Sequence, residues 1–305
     1  MELHQRDMTA TFAAEVTLEK ARAELAKIGQ WIAIDGDPGS PIGELIAFNS
    51  TGPLRLGYGA WRDLLLGVQF TNGRGELISA GGRTMKNVAG YDLTKFMVGS
   101  AGVFGKIVAA TVRTYRRPQG ALLARFPTDV KIVGKLIPTS LRPQWAMLTK
   151  TELFCGYVGD KRTIDYYKMA LSQAEPLDVR ERSIEEDIAD RAQLWRAEGV
   201  TTFRASVPPM KIQEFATALT ENHWVADAAF GVVIGSDVAD EQVATIEYVA
   251  AAVGGSVRFF GRASESDSTP AIDFSTNPVE RQIIEKLKLA FDPDGLLTPL
   301  PRQFR

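Results

Sequence analysis

The segment that most restricts what this chain can fold into is residues 81–106, GGRTMKNVAGYDLTKFMVGSAGVFGK. It places six glycines among small and polar residues, between two apolar, strand-like runs. Glycine loses more conformational entropy on ordering than any other residue and gives a core nothing to bury. Such a density marks backbone that turns through positive φ or passes very close to something. Two readings follow and stay open at this point. In one, main-chain N–H groups lie against a planar or phosphorylated ligand. In the other, the glycines serve turns and a tight strand crossing. Two common nucleotide sites are excluded. Residues 99–105, GSAGVFG, have the wrong spacing for G-x-G-x-x-G and lead into a strand rather than a helix, and there is no P-loop.

The flanks carry clear local signals. Residues 17–29, TLEKARAELAKIG, predict a helix capped by Thr17, with Leu18, Ala21, Leu25 and Ile28 on one face and Gly29 as its stop. Residues 64–70 and 76–80 flank TNGRG and predict a β-hairpin with an Asn-Gly turn and an extra glycine for a bulge. Residues 106–115 alternate like a strand, and the run RRP ends it at Pro118. Beyond Pro118 glycine thins out. Helical and strand patterns mix over 129–136, 145–155, 163–173, 184–198, 210–222, 230–234, 241–253 and 257–260, which predicts an α+β region with antiparallel strands. Residues 262–277 read as a loop, 278–291 as a last helix stopped by DPDG, and the tail as extended. The expected organisation is a first domain over 1–118, a second over 119–265, and a returning loop, helix and tail over 266–305.

Composition narrows the class. With 305 residues the chain is long enough for two cores. A formal net charge of -2 offers no electrostatic case for nucleic acid or a membrane surface. The single cysteine, Cys155, precludes an intrachain disulfide, fits a reducing compartment and stands in no metal-ligand spacing. No run approaches the roughly 20 apolar residues of a membrane span, and MELHQRDMTA lacks the pattern of a signal peptide. The expectation is a soluble, cytoplasmic chain.

Polar residues interrupt the glycines: Lys86, Asn87, Tyr91, Asp92 and Lys95. A second glycine-rich segment, IGELIAFNSTGPLRLGYGAWRD at 42–63, carries Asn49, Ser50, Thr51, Arg55, Tyr58 and Arg62. Two such loops joined by a hairpin are able to wall one site. Each residue also has a plainer reading: half-buried packing for Tyr58 and Tyr91, and solvated or paired surface charge for Arg55, Arg62 and Lys86.

The stretch GGRTMKNVAGYDLTKFMVGSAGVFGKI closely resembles the flavin-binding signature of the vanillyl-alcohol-oxidase, or PCMH-type, FAD family. Within that family it is most similar to the E-type subunits of bacterial glycolate oxidases. That likeness extends through IGELIAFNSTGPLRLGYGAWRDLLLGVQF and KLKLAFDPDGLLTPLPR. It is strong over 15–118, weak in the middle, and returns at 278–302. The resemblance implies an α+β fold, with a PCMH-type FAD-binding domain and a cap domain built on an antiparallel sheet. It implies FAD as cofactor. The loop from Gly43 through Asn49 and Ser50 to Gly52, with Tyr58, would lie along the isoalloxazine and pyrophosphate. Gly99, Ser100, Gly102 and Gly105 would bring backbone against the cofactor. Residues 106–109, including Ile107, would offer main-chain groups to adenine. Lys86, Asn87, Gly90, Tyr91 and Asp92 would order the loop or reach the flavin edge. The implied partners are a catalytic D-type flavoprotein subunit and an iron–sulfur F-type subunit, in a complex that oxidises glycolate to glyoxylate.

Two departures qualify these expectations. The family's N-terminal subdomain holds a glycine-rich pyrophosphate loop, yet the sixteen residues before Thr17 contain no glycine. The expectation is a partial FAD-binding domain without that subdomain. Losing several charge-assisted hydrogen bonds, each about 1.5–3 kcal/mol, weakens FAD binding. The second departure concerns the base that hydroxy-acid oxidation by a flavin requires. The catalytic D-type relatives resemble one another in H-x-G-D-G-x-x-H, whereas this chain has only His4 and His223, the latter in ENHWVAD. The expected role is therefore auxiliary, with no catalytic residue assigned. A flavin-free structural subunit and an independent small FAD oxidase are the alternatives. Elsewhere, Cys155 is expected to be buried and inert, Glu185, Glu186, Asp187 and Asp190 to form a solvated helix face, and Arg116–Arg117 to be a surface hinge.

Overall fold

Thr17 starts the first long helix because its hydroxyl accepts the Lys20 N–H at 3.3 Å, satisfying one of the orphan donors of the first turn. Gly29 ends it by taking φ +70°. The structure, a computed structural model, describes residues 1–82, 92–196, 202–219, 222–261 and 278–300. The chain divides into two compact units. One comprises Met1–Thr51, Gly59–Arg117 and Ser268–Arg305; the other comprises Gly52–Tyr58 and Pro118–Asp267.

In the first unit, β1 (Glu2–His4) and β2 (Thr9–Ala13) precede α1 (Leu18–Lys27), β3 (Gln30–Trp31) and α2 (Ile42–Ala47). The short α3 (Arg55–Tyr58) belongs to the second unit. Then follow α4 (Trp61–Leu64), β4 (Leu65–Thr71), β5 (Leu77–Gly81), α5 (Leu93–Met97), β6 (Lys106–Arg113) and β7 (Tyr115–Arg116). Five strands form an antiparallel sheet in the order β1-β2-β6-β4-β5, and β3 pairs with β7. Strand alternation sends Phe12, Val68, Phe70, Ala110 and Val112 to one face, where Leu18, Ala21 and Leu25 of α1 and Ile42, Leu45 and Ile46 of α2 cover them.

The β4–β5 hairpin forms in the expected place, and its extra glycine, Gly75, takes the left-handed position expected of a bulge; only Gly73 departs from an Asn-Gly turn, having no positive φ. The Asn72 side chain accepts the N–H groups of Arg74 and Glu76 at 2.9 and 3.0 Å. The positive φ falls on Gly75, at +77°. Gly73 is required for another reason: its N–H donates to the Phe291 carbonyl at 2.8 Å, and a Cβ there would lie 2.2 Å from Asp292 Oδ1.

The second unit is one antiparallel sheet of eight strands. Its elements are β8 (Gly120–Pro127), α6 (Lys131–Leu136), β9 (Trp145–Leu148), β10 (Glu152–Gly159), α7 (Lys161–Leu171), β11 (Asp178–Arg182), α8 (Ile184–Leu194), β12 (Thr202–Ser206), α9 (Ile212–Phe215), β13 (His223–Asp227), β14 (Val232–Ser236), α10 (Asp240–Ala252) and β15 (Ser256–Phe260). The strand order is β11-β8-β10-β9-β13-β14-β12-β15. Leu122, Ala124, Leu153, Cys155, Phe203 and Ala226 point to one face, under Ile164, Phe215 and Ile246 of α7, α9 and α10. Cys155 is fully buried there, and desolvation pushes its thiol pKa far up.

Helix α8 corrects one expectation. Glu186 closes a capping box with Ser183, their reciprocal bonds measuring 2.7 and 3.1 Å. Asp187, expected in solvent, is buried; it accepts the Trp145 indole N–H at 2.9 Å and pairs with the buried Arg191. The cause is Gly156, opposite Trp145 in the β9–β10 register. A Cβ there would stand 1.9 Å from the indole, so the ring lies across the neighbouring strand and sends its N–H to α8.

The last helix, α11 (Pro278–Phe291), belongs to the first unit. Phe291 rests 5.8 Å from Phe96 and 6.1 Å from Phe70, centroid to centroid. Lys288 Nζ donates to the carbonyls of Val103 and Thr298 at 3.0 and 2.9 Å and pairs with Asp292. Among the described residues, no helix is long and apolar enough to cross a membrane.

Gly156→Ala should therefore destabilise the protein by about 1–3 kcal/mol through overpacking. Gly134→Ala, in α6 with open space around it, should stabilise it by about 0.5–1 kcal/mol. Denaturant melts of both variants check the pair; equal effects would contradict the packing described for Trp145.

Candidate functional site

The C-terminal end of α2 organises the glycine-rich loop. Asn49 takes a left-handed φ of +48°, its N–H reaches the Ile46 carbonyl at 3.0 Å, and the Ser50 N–H reaches Leu45 at 2.8 Å. This is a helix C-terminus closed on itself. The Ile46 carbonyl and that of its neighbour Ala47 also hold the loop after α5. Gly99 N–H donates to Ile46 at 3.0 Å, and Ala101 N–H donates to Ala47 at 2.8 Å. The loop turns through three left-handed residues, Gly99 at +80°, Ala101 at +46° and Gly102 at +78°. The alanine stores about 1–2 kcal/mol of strain. Asp92 caps α5, accepting the Lys95 N–H at 3.2 Å, and the Thr94 hydroxyl bound to its carboxylate holds its pKa below the usual range.

The glycines named from the sequence serve different purposes. A Cβ on Gly43 would stand 2.6 Å from Ala14 Cβ; on Gly102, 2.9 Å from Thr298 Oγ1; on Gly105, 2.5 Å from the Phe70 ring. The protein itself fills these three approaches. At Gly99 the nearest atom would be Asn49 Cβ at an ordinary 3.6 Å, so there glycine answers to φ alone.

Two features are left for a ligand. Ser100 is only 2% exposed, and its Oγ has no hydrogen-bond partner among the described residues. A buried hydroxyl without a partner is costly, and each such case asks for an explanation. The second is the start of β6. Its ladder with β4 runs to Lys106, whereas its ladder with β2 stops at Ala109, one further bond joining Ala14 N–H to the Val108 carbonyl at 2.8 Å. The far edge of Lys106 and Ile107 therefore carries main-chain groups with no strand beside them among the described residues. Such an edge is able to read the rim of a planar base. The Ile107 side chain itself is in the core. Both features fit FAD placed as the resemblance implies.

Asn49, Ser50, Asp92, Gly99, Ser100, Gly102, Gly105 and Ile107 thus belong to the first unit, with Gly43 in its packing. Gly52 and Tyr58 belong to the second unit. There Gly52 accepts the Arg55 N–H at 3.2 Å, and Tyr58 donates its N–H to Leu54 at 3.2 Å. Lys86, Asn87, Gly90 and Tyr91 lie outside the described residues.

Sequence reasoning missed a cluster in the second unit. Arg55 Nε donates to Asp227 Oδ2 at 3.0 Å, and its guanidinium stacks 4.1 Å from the Phe230 ring centroid. Asp227 is 1% exposed. Burial pushes its pKa up to about 6, outweighing the Arg55 charge. The partners are 172 residues apart, and no local pattern joins them. His223 lines a different cleft, of about 420 Å³, with Arg125, Arg180, Arg182 and Asp190. The arginines there are already paired with Glu152, Asp178 and Asp190.

No family model matches the chain. Its fold is that of the FAD-binding PCMH-type enzymes: alkyldihydroxyacetonephosphate synthase superposes with a TM-score of 0.68 at 16% identity, covering 98% of this chain and 65% of that one. Glycolate oxidase subunit GlcE of Escherichia coli is 40% identical over 83 residues, 27% of this chain and 24% of that protein. Glycolate oxidase subunit GlcD of Bacillus subtilis is 34% identical over 157 residues, 46% of this chain and 33% of that one. A D-lactate dehydrogenase of Archaeoglobus fulgidus is 24% identical over 348 aligned positions, 98% of this chain and 78% of the other. The chain thus spans a quarter to a third of the two glycolate oxidase subunits it matches. The fold is therefore shared with these enzymes, and the sequence likeness is to parts of glycolate oxidase subunits and, more faintly, to a whole D-lactate dehydrogenase.

The raised pKa of Asp227 has a stability consequence. From the usual 3.8 up to about 6, the folded protein holds a proton that the unfolded chain has released. The group's contribution is full below pH 4 and is lost as the pH rises through 6. Relative to Asp227→Asn, the native protein should lose roughly 2–4 kcal/mol of stability between pH 4 and pH 7, at 1.36 kcal/mol per unit. Urea melts of both proteins across that range check this; parallel profiles would contradict it.

Proposed function

We propose that this chain is an FAD-binding, auxiliary subunit of a glycolate-oxidase-type complex. It would work beside a catalytic D-type flavoprotein and an iron–sulfur F-type subunit in oxidising glycolate to glyoxylate. The observation that carries the reading is the loop pinned to α2, which leaves the Ser100 hydroxyl buried and unpaired next to main chain at Lys106 and Ile107. The 40% identity to GlcE supports the choice of complex. Bound FAD would supply a hydride acceptor. Ser100 would donate to it, the β6 edge would read its base, and the turn at Asn49 and Ser50 would border it. Lys86, Asn87, Gly90, Tyr91, Gly52 and Tyr58 remain part of the proposed site on the resemblance alone. An auxiliary role agrees with a histidine complement of only His4 and His223.

A second reading has an observation of its own. Gly43, Gly102 and Gly105 are accounted for by contacts within the protein, as they would be in a flavin-free structural subunit.

Calorimetric titration with FAD separates the two. Ser100→Ala should weaken FAD binding about 5- to 10-fold, the worth of one buried hydrogen bond, and raise rather than lower the melting temperature of the free protein, since it removes an unpaired buried hydroxyl. Equal affinity in the variant would remove Ser100 from the site. Coexpression with D-type and F-type subunits should restore glycolate-dependent dye reduction, and the chain alone should show none.

A further inference from the structure

We propose that Arg55 and Arg204 form a clamp for a small organic monocarboxylate on the face of the eight-stranded sheet that also carries Asp227. The face follows from the register. Phe203 and Ala205 point into the core, so Arg204 between them points to the other side. Arg204 lies opposite Ile234, and Ile234 opposite Val225. Val225 and Asp227 share one side of β13. Arg204 and Asp227 therefore face the same way, two strand spacings apart, about 10 Å across the sheet. Ile234 lies between them on that face, and an arginine side chain is long enough to lean over it.

The charges do not balance. Asp227 is engaged at both oxygens: Oδ2 takes Arg55 Nε at 3.0 Å, and Oδ1 takes the N–H groups of Ala229 and Phe230 at 3.2 and 3.3 Å. The terminal nitrogens of Arg55 donate no hydrogen bond among the described residues, and Arg204 makes neither a hydrogen bond nor an ion pair there. Arg258, opposite Arg204 on β15, is itself engaged. Arg204 is solvent-exposed; crowding by surrounding protein and the Arg55 charge lower its pKa. Arg55 and Arg204 thus bring two positive charges to a face that carries the single carboxylate of Asp227, and an anion between them offsets the surplus. A planar carboxylate meets the guanidinium fork with two parallel hydrogen bonds. A monoanion cancels the surplus charge, whereas a phosphate dianion overshoots it. Phe230, 44% exposed, offers an apolar wall for a short carbon chain.

The choice of glycolate and glyoxylate as probes rests on the proposed function; the clamp itself does not. Titration of the full chain with glycolate, glyoxylate, acetate and inorganic phosphate, at fixed ionic strength and with and without FAD, tests it. The three carboxylates should bind in the millimolar range or tighter, and phosphate at least ten-fold more weakly. Arg204→Gln should abolish carboxylate binding without lowering the melting temperature of the free protein. Arg204→Lys, which keeps the charge and loses the fork, should bind at least ten-fold more weakly. Carboxylate binding unchanged in Arg204→Gln, no carboxylate binding by the native chain, or phosphate bound as tightly as glycolate would each overturn the proposal. Carboxylate binding by a chain that takes up no FAD would uphold the clamp while the flavin reading failed.

Discussion

Two backbone hydrogen bonds, from Gly99 to the Ile46 carbonyl and from Ala101 to the Ala47 carbonyl, fix the geometry on which the first unit depends. They use carbonyls that a helix C-terminus leaves over, so the loop and α2 complete each other. On the loop's other side Lys288 takes the Val103 carbonyl, which ties α11 into the same assembly. The aromatic contacts of Phe96 with Phe104 and Phe291 fill the space between. A loop held at both ends this way can bear left-handed backbone at an alanine, because the surrounding contacts over-determine it.

Local physics was readable from the sequence where neighbours in the chain are neighbours in space. The Thr17 cap, the Gly29 stop and the β4–β5 pairing depend on contacts within a few residues. Gly73 in the hairpin's turn was misread because it is committed to Phe291 and Asp292, more than two hundred residues away. In the second unit β8, β11, β12 and β13 went unrecognised, and 145–155 was taken as a single segment, where the structure has β9 and β10. The sequence DVRER of β11 shows no apolar alternation because it is an edge strand carrying charge, a common protection against mispairing. Asp187 was misplaced in solvent because its burial depends on the missing side chain of Gly156 across the sheet.

The candidate site was legible in part for the same reason. A dense glycine segment announces tight backbone, and the structure contains it. It does not announce what the backbone is tight against. At Gly43, Gly102 and Gly105 the neighbour is the protein, whereas Ser100 and the open edge at Ile107 are where a ligand would complete unmet hydrogen-bonding capacity. The Arg55–Asp227 pair was invisible for a different reason: its partners come from distant segments, and only the fold gives the carboxylate its burial.

The account's central claim is that the first unit holds FAD. The most direct measurement is the absorption spectrum of the purified chain after incubation with excess FAD and desalting, followed by the spectrum of the supernatant after heat denaturation. The account predicts a flavin band near one FAD per chain, released on unfolding. A protein that passes desalting colourless, and whose supernatant contains no flavin, would contradict it.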